Sequence, residues 1–309
     1  MMIGNKTHQR LWRMSTGVAL VGASAILASG AVMAQNFGGW GDPVSAQVGS
    51  HPDLNTSFND GCPILSPDGL SLYMASNRPG GAGGQDIWVA RRESTEEGWG
   101  APVNLAEVNS PQDDFCPSPI RGRGLFFVSR RDEPNGDIYF TRQRPDGEWE
   151  APNHLGPEIN SALEEWSPSF YNDEEGRPVL YFSRNTPTTN THDIYYSVDY
   201  GPAQLAPGGV NGSASDARPN VRKDGLEIVW DSSRPGLGGQ DIWTARRSST
   251  SASWGPAVHL IGLNSSANET RASLSWDGSF MLFGSNRAGT EGMADIYVTH
   301  RSRRTGNAD

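Results

Sequence analysis

The sequence predicts an all-β chain: a five-bladed β-propeller of four-stranded antiparallel blades, closed by its amino-terminal strand. Three observations predict it. Asp-Ile followed by Trp or Tyr occurs five times, at Asp86-Ile87-Trp88, Asp137-Ile138-Tyr139, Asp193-Ile194-Tyr195, Asp241-Ile242-Trp243 and Asp295-Ile296-Tyr297, with gaps of 51, 56, 48 and 54 residues. One supersecondary unit has therefore been copied along the chain. Each copy has room for four short strands, the make-up of a propeller blade. The last copy lacks its fourth element, and matching residues stand ahead of the first.

At the amino terminus, Lys6, Arg10 and Arg13 precede an apolar, small-residue run over 16–33 that ends in Val32-Met33-Ala34. This is the pattern of a secretory signal peptide cleaved after Ala34. A retained membrane anchor is the competing reading, but the run is short for a span and rich in Gly, Ser and Ala. Cleavage would remove three positive charges and no acid, moving the net charge from -10 to -13 and leaving 275 of the 309 residues without a transmembrane span. So acidic a body excludes nucleic acid and anionic membranes as partners. Lys223 is the one lysine that remains, and the other cations are arginines suited to fixed carboxylate pairing.

Within a unit, Asp68-Gly69 lies between two β-type runs as a hairpin signal, repeated at Asp224-Gly225 and Asp277-Gly278. The runs that follow, such as Leu72-Tyr73-Met74-Ala75 and Leu125-Phe126-Phe127-Val128, are apolar without alternation, as in strands covered on both faces. The Asp-Ile-aromatic strand comes next. A fourth element carries Trp99, Pro102, Leu105 and Asn109-Ser110, matched by Trp149, Pro152, Leu155 and Asn160-Ser161 and by Trp254, Pro256, Leu260 and Asn264-Ser265. The fifth copy has no such element. Trp40, Pro43, Val44, Leu54 and Asn55 supply it from the amino-terminal side. The expected organisation is a signal peptide over 1–34, the propeller over 35–301 and a tail over 302–309.

The strings Ser66-Pro67-Asp68-Gly69, Ser76-Asn77-Arg78-Pro79-Gly80-Gly81 and Gly84-Gln85-Asp86-Ile87-Trp88 resemble the WD-like propeller repeats of TolB-type periplasmic proteins. Ser232-Ser233-Arg234-Pro235-Gly236 with Gly239-Gln240-Asp241-Ile242-Trp243 nearly repeats them. The resemblance implies a periplasmic or secreted binding and scaffolding module with a cell-envelope protein or glycan as partner. A monomer is expected.

Every unit has an acid three residues before its first Pro, or before Ala272 in the fifth: Asp60, Asp114, Glu165, Asp216 and Glu269. On innermost strands they would ring one tunnel mouth and favour a cation, Ca²⁺ included, or a polyol. Alternatively, each caps backbone N–H groups where the chain enters its blade. One position before the same Pro or Ala stand Cys62, Cys116, Ser167, Arg218 and Arg271, which regular strand alternation would place on the acids' face. A mouth basic on one side would suit a zwitterionic, carboxylate-bearing or sugar-like ligand. Otherwise each Arg pairs with its ring acid. Cys62 and Cys116 occupy equivalent positions in neighbouring blades and would be a disulfide or two buried thiols.

Arg78, Arg131, Arg234 and Arg287 precede the Asp-Ile motifs by six to eight residues, with Arg184 in blade three, and pairing of Arg78 with Asp86 would staple the glycine loop. Blade three departs most, with Trp166 after its acid, an insertion at Asp173-Glu174-Glu175 and a polar loop over 185–192. Trp166 is there either an aromatic docking platform or a product of repeat drift. The sequence holds neither a metal-type His pair nor a cofactor fingerprint.

Two functions follow as expectations. The first is non-catalytic binding through the axial face, with Asp60, Asp114, Glu165, Trp166, Asp216, Arg218, Glu269 and Arg271 as ligand-binding residues. The second is a glycosidase-like enzyme drawing its carboxylates from Asp60, Asp114 and Glu165.

Overall fold

The computed structural model describes residues 37–186 and 188–304. The expected signal peptide and the end of the expected tail lie outside them. The described chain forms five antiparallel sheets of four strands each, a five-bladed β-propeller. No helix long and apolar enough to cross a membrane occurs among the described residues.

Blade one comprises β2 (Asp60–Leu65), β3 (Ser71–Ser76), β4 (Asp86–Arg91) and β5 (Val103–Asn104). Blade two comprises β6 (Asp114–Ile120), β7 (Gly124–Ser129), β8 (Asp137–Arg142) and β9 (Asn153–His154). Blade three comprises β10 (Glu165–Asn172), β11 (Pro178–Thr186), β12 (Thr191–Val198) and β13 (Gln204–Leu205). Blade four comprises β14 (Asp216–Val221), β15 (Glu227–Ser232), β16 (Asp241–Arg246) and β17 (Val258–His259). Blade five joins β18 (Glu269–Leu274), β19 (Phe280–Ser285) and β20 (Asp295–His300) to β1 (Val44–Ser45), which pairs Val44 with Val298 and Ser45 with Tyr297. The pairing continues past Arg301, where the sequence ended the propeller: Gly38 N donates to Ser302 O, and Phe37 bridges Arg303.

The apolar middle strands are buried on both faces, with Leu72, Met74, Phe126, Phe127, Phe182, Trp230 and Phe283 inaccessible or nearly so. Each such side chain contributes roughly 1.5–3 kcal/mol of burial. The clusters also bridge blades, as where Leu72 and Trp88 pack with Leu282 and Val298 of blade five. The Asp-Gly turns are longer than two-residue hairpins. Ser66 N donates to Ser71 O and Gly69 N to Ser66 O, so Pro67 and Asp68 occupy the centre of a β-turn and Gly69 takes a left-handed φ of 72°.

The Asp-Ile motif works through backbone groups. In each blade an Asn clamps the Ile main chain from both sides: Ile87 N donates to Asn109 Oδ1 at 2.9 Å, and Asn109 Nδ2 donates to Ile87 O at 3.0 Å. Asn160, Asn264 and Asn211 repeat this at Ile138, Ile242 and Ile194. In blade five the clamp is Asn55, from the opposite end of the chain. The Asp of the motif does not pair with Arg78. Asp86 instead accepts from Ala82 N at 2.9 Å and Gly83 N at 3.1 Å, and a Cβ at Gly81 would collide with its carboxylate. The glycines let the loop wrap around this acid.

Candidate functional site

Each innermost strand begins with its ring acid, and all five acids are fully buried. Their oxygens are committed to the framework. Asp60 accepts from Thr56 N at 2.6 Å, Ser76 Oγ at 2.6 Å and Arg78 Nη2 at 2.5 Å. Asp114 takes Ser110 and Arg131, and Glu165 takes Ser161 and Arg184. Asp216 takes Gly212 N, Trp230 Nε1 and Arg234, while Glu269 takes Ser265, Ser285 and Arg287. Burial pushes the Glu165 carboxyl up, against the Ser161 hydrogen bonds and the Arg184 charge. The arginines assigned from sequence to the glycine loops thus hold the ring acids. Such saturated acids fit neither a Ca²⁺ ion nor a pair of working carboxylates. No group of three His, Cys, Asp or Glu placed to hold a metal occurs among the described residues.

The acids also do not share a face with the residues two positions later. Cys62, Cys116, Ser167, Arg218 and Arg271 all adopt left-handed backbone, with φ between 48° and 57°. At each one the inner strand carries an extra residue relative to its partner, as between Gly61 and Ile64. This β-bulge interrupts alternation and re-aims the side chain. The acids point back into the framework and the bulge residues line the axial channel. That channel has a volume of about 30 Å³. It holds one or two water-sized groups and no sugar ring.

The channel mouth at the starts of the inner strands is divided. On one side Cys62 and Cys116 form a disulfide with Cα atoms 4.9 Å apart, and Ser167 Oγ lies 3.1 Å from Cys116 Sγ. On the other, Arg218 does not pair with its ring acid. It binds Asp231 through Nε at 3.0 Å and Nη2 at 2.5 Å, and Asp231 also accepts from Arg271 N at 2.8 Å. Asp231 sits in the middle strand opposite Ala217, where the other blades have Ala75, Val128, Ser183 and Gly284. An acid ending the buried run Ile228-Val229-Trp230 is the sequence signal that was overlooked, since a buried carboxylate requires a cation.

Arg271 differs from the arginines that hold the ring acids. Its guanidinium makes no ion pair or hydrogen bond among the described residues, and its Nε is buried without a partner. Gly61 leaves it room, because a Cβ there would lie 2.8 Å from Arg271 Nη1. Burial, then the Arg218 charge, push Arg271 down to about 10, opposed by Asp231, so it stays charged at neutral pH.

Blade three completes this mouth. Its polar segment extends the β11–β12 hairpin, pairing Asn185 with His192 and Thr186 with Thr191. Trp166 stacks on His192 at 4.9 Å and meets Phe115 edge-on at 5.9 Å. His192 Nε2 lies 3.3 Å from Glu164 Oε2. Burial and the Arg218 charge hold His192 below its ordinary range, against the Glu164 carboxylate. The insertion at 173–175 serves another purpose: Asp173 and Glu175 bind Arg177, and Glu174 accepts from Thr250 N at 3.1 Å, tying blade three to blade four.

No protein-family model and no curated protein matches the sequence. Solved structures of similar fold include a thermostable family-43 glycoside hydrolase, 15% identical over 82% of this chain and 92% of that one, with a TM-score of 0.57. An endo-arabinase from Bacteroides thetaiotaomicron is 18% identical over 83% of this chain and 98% of its own, with a TM-score of 0.57. A putative TolB from Agrobacterium tumefaciens is 15% identical over 86% and 91%, with a TM-score of 0.50. The likeness is one of fold.

Proposed function

We propose that this chain is an exported, TolB-like binding propeller of the periplasm or the extracellular space, whose mouth beside Arg271 takes a carboxylate-bearing cell-envelope glycan. The unpaired Arg271 guanidinium carries the reading. Burying a cation without a counter-ion is costly, and a ligand carboxylate would relieve that cost through charge-assisted hydrogen bonds. The Arg218–Asp231 pair holds the neighbouring wall, and Trp166 with His192 offers an aromatic edge beside it. The narrow channel favours a ligand that presents one anionic group and rests the remainder on the mouth.

Calorimetric titration with acidic and neutral oligosaccharides tests this. Uronic-acid oligomers should bind and neutral ones should not, and Arg271→Gln should weaken binding at least about ten-fold, the range of a hydrogen bond to a charged group. The variant should melt no lower than wild type, because it removes a half-buried charge that has no ion-pair partner of its own. Equal binding by wild type and Arg271→Gln would reject the site.

A second reading, a carbohydrate-active enzyme, draws support from the glycoside hydrolases among the fold neighbours. Asp60, Asp114 and Glu165 lend it none, since each is buried and paired with an arginine. Release of reducing ends from arabinan or xylan by the wild-type chain would establish it.

A further inference from the structure

The opposite end of the axis carries a feature that the reading above does not use. Where the inner strands end, four blades converge on a cleft of about 760 Å³ whose lining includes Ile120, Arg121, Phe170, Asn172, Lys223 and Trp276. Trp276 of blade five lies under two cations. Arg121 of blade two is 5.0 Å from its ring centroid and Lys223 of blade four is 5.1 Å from it. The Arg121–Trp276 contact joins blades two and five, which are not neighbours, and places this group across the axial mouth.

Neither cation has a carboxylate partner among the described residues. Lys223 Nζ donates only to Phe170 O, at 2.6 Å, and Arg121 makes no hydrogen bond or ion pair there. The one acid of the cleft, Asp277, is occupied by Ser275 and Ser279 and by Arg303 at 3.1 Å. Arg121 is exposed and Lys223 half-buried, so in a chain of net charge -10 the cleft presents two positive groups without a carboxylate partner at the surface. Only Lys6 and Lys223 are lysines in the whole sequence, so an ammonium here stands apart from the arginine framework.

From this arrangement we infer that the Arg121–Lys223–Trp276 cleft is a second ligand site, which takes an oxyanion, sulfate or carboxylate, at the end of the axis away from Arg271. A bound oxyanion would bridge the ammonium and the guanidinium, with Trp276 and Phe170 forming an apolar floor. Burial lowers Lys223 to about 8, so the empty site is partly neutral at pH 8 and an anion would draw a proton back onto it.

Selective ¹³Cε labelling of lysine in the chain cleaved after Ala34 yields one side-chain signal, that of Lys223, and its loss in Lys223→Arg confirms the assignment. Inorganic sulfate and galacturonate, neither of which titrates between pH 7 and 9, are the two probes, with galactose as the neutral control. The Lys223 signal should shift saturably with one or both anions, its midpoint should rise by about one unit or more, and affinity should fall as pH rises past 8. Response to galacturonate alone identifies an acidic sugar as the ligand, and response to sulfate alone a sulfated one. Arg121→Gln should weaken the response at least about ten-fold, whereas Arg271→Gln should leave it unchanged. That contrast separates this site from the one at the other mouth. No saturable shift with either anion, or an equal shift with galactose, overturns the proposal.

Discussion

A chain lacking residues 37–55 is expected to lose cooperative thermal melting altogether. That segment supplies more than a two-residue strand. Besides the β1–β20 pairs, Ala46 N donates to Ile296 O and Gly41 N to His300 O, while Thr299 Oγ1 donates to Gly41 O at 2.6 Å. Asn55 clamps the last Asp-Ile motif, and Leu54 is wholly buried in the cluster joining blades five and one. Without it the last sheet has an open edge and the ring has no seal, although repeats gain most of their stability from neighbours. A soluble deletion variant with a sharp calorimetric transition would contradict this closure.

A graded form of the same experiment is Arg301→Ala. Arg301 follows the last strand and is almost fully buried; Nη1 and Nη2 donate to the two oxygens of Glu227, each at 2.7 Å. Glu227 in blade four also accepts from Arg222 at 2.5 Å and Arg246 at 3.2 Å. The Arg301 guanidinium lies 3.9 Å from the ring of Phe37 and 4.2 Å from that of Trp40, so one residue ties the amino-terminal segment, the last strand and blade four. Removing one partner of a buried pair costs about 3–5 kcal/mol when the other charge is left alone; Arg222 and Arg246 stay on Glu227, so at roughly 2–4 °C per kcal/mol the melting temperature should fall by about 5 °C. Acid should act through the same group. Burial alone would raise the Glu227 carboxyl, but the Arg301 hydrogen bonds and the charges around it hold it below 4.5. A depressed carboxyl contributes stability above its unfolded value and loses it as pH falls through the folded value. Melting of wild type should therefore drop below about pH 4.5, and Arg301→Ala should flatten that slope. An unchanged slope would mean that Glu227 is not the group involved.

The second large effect is expected on reduction. The Cys62–Cys116 disulfide closes a loop of 54 residues between the inner strands of blades one and two. Chain-entropy arguments value such a loop at about 4 kcal/mol. Neighbouring blades already pack together in the folded ring, so the bond acts chiefly by restricting the unfolded chain. The double variant Cys62→Ala, Cys116→Ala should melt roughly 10 °C lower than the oxidised protein, and reductant should lower the wild type to the same point without affecting the variant. Coincident curves for oxidised and reduced wild type would show that the bond contributes nothing.

The framework was legible because it is periodic. Five Asp-Ile motifs, the Asp-Gly turns and the displaced fourth strand each leave a signal repeated at fixed spacing, and they locate blades and closure. Partners across space left a weaker one. Arg78 lies closer in sequence to Asp86 than to Asp60, yet the antiparallel ladder sets Asp60 opposite Ser76 and brings Arg78 onto it. The faces of the inner strands were misread for a local reason: alternation fails at a left-handed residue, so Arg218 and Arg271 part from Asp216 and Glu269. Groups that occur once leave no period at all. Asp231, Glu227 and Trp276 stand out only as polar or aromatic residues breaking a repeat, and their roles come from what they meet in neighbouring blades.

The five bulges also have an evolutionary consequence. Because the left-handed turn separates the bulge side chain from the acid, arginine and Asn clamp that hold each blade, the axial side chain lies outside the clamp that assembles its own blade. Positions 62, 116, 167, 218 and 271 already accept a half-cystine, a hydroxyl and a guanidinium on nearly the same backbone angle. They form a five-letter word written around one axis. Selection, or a combinatorial library at codons 167 and 271, can rewrite part of that word to change ligand preference, whereas positions 62, 116 and 218 also carry the disulfide and the Asp231 ion pair.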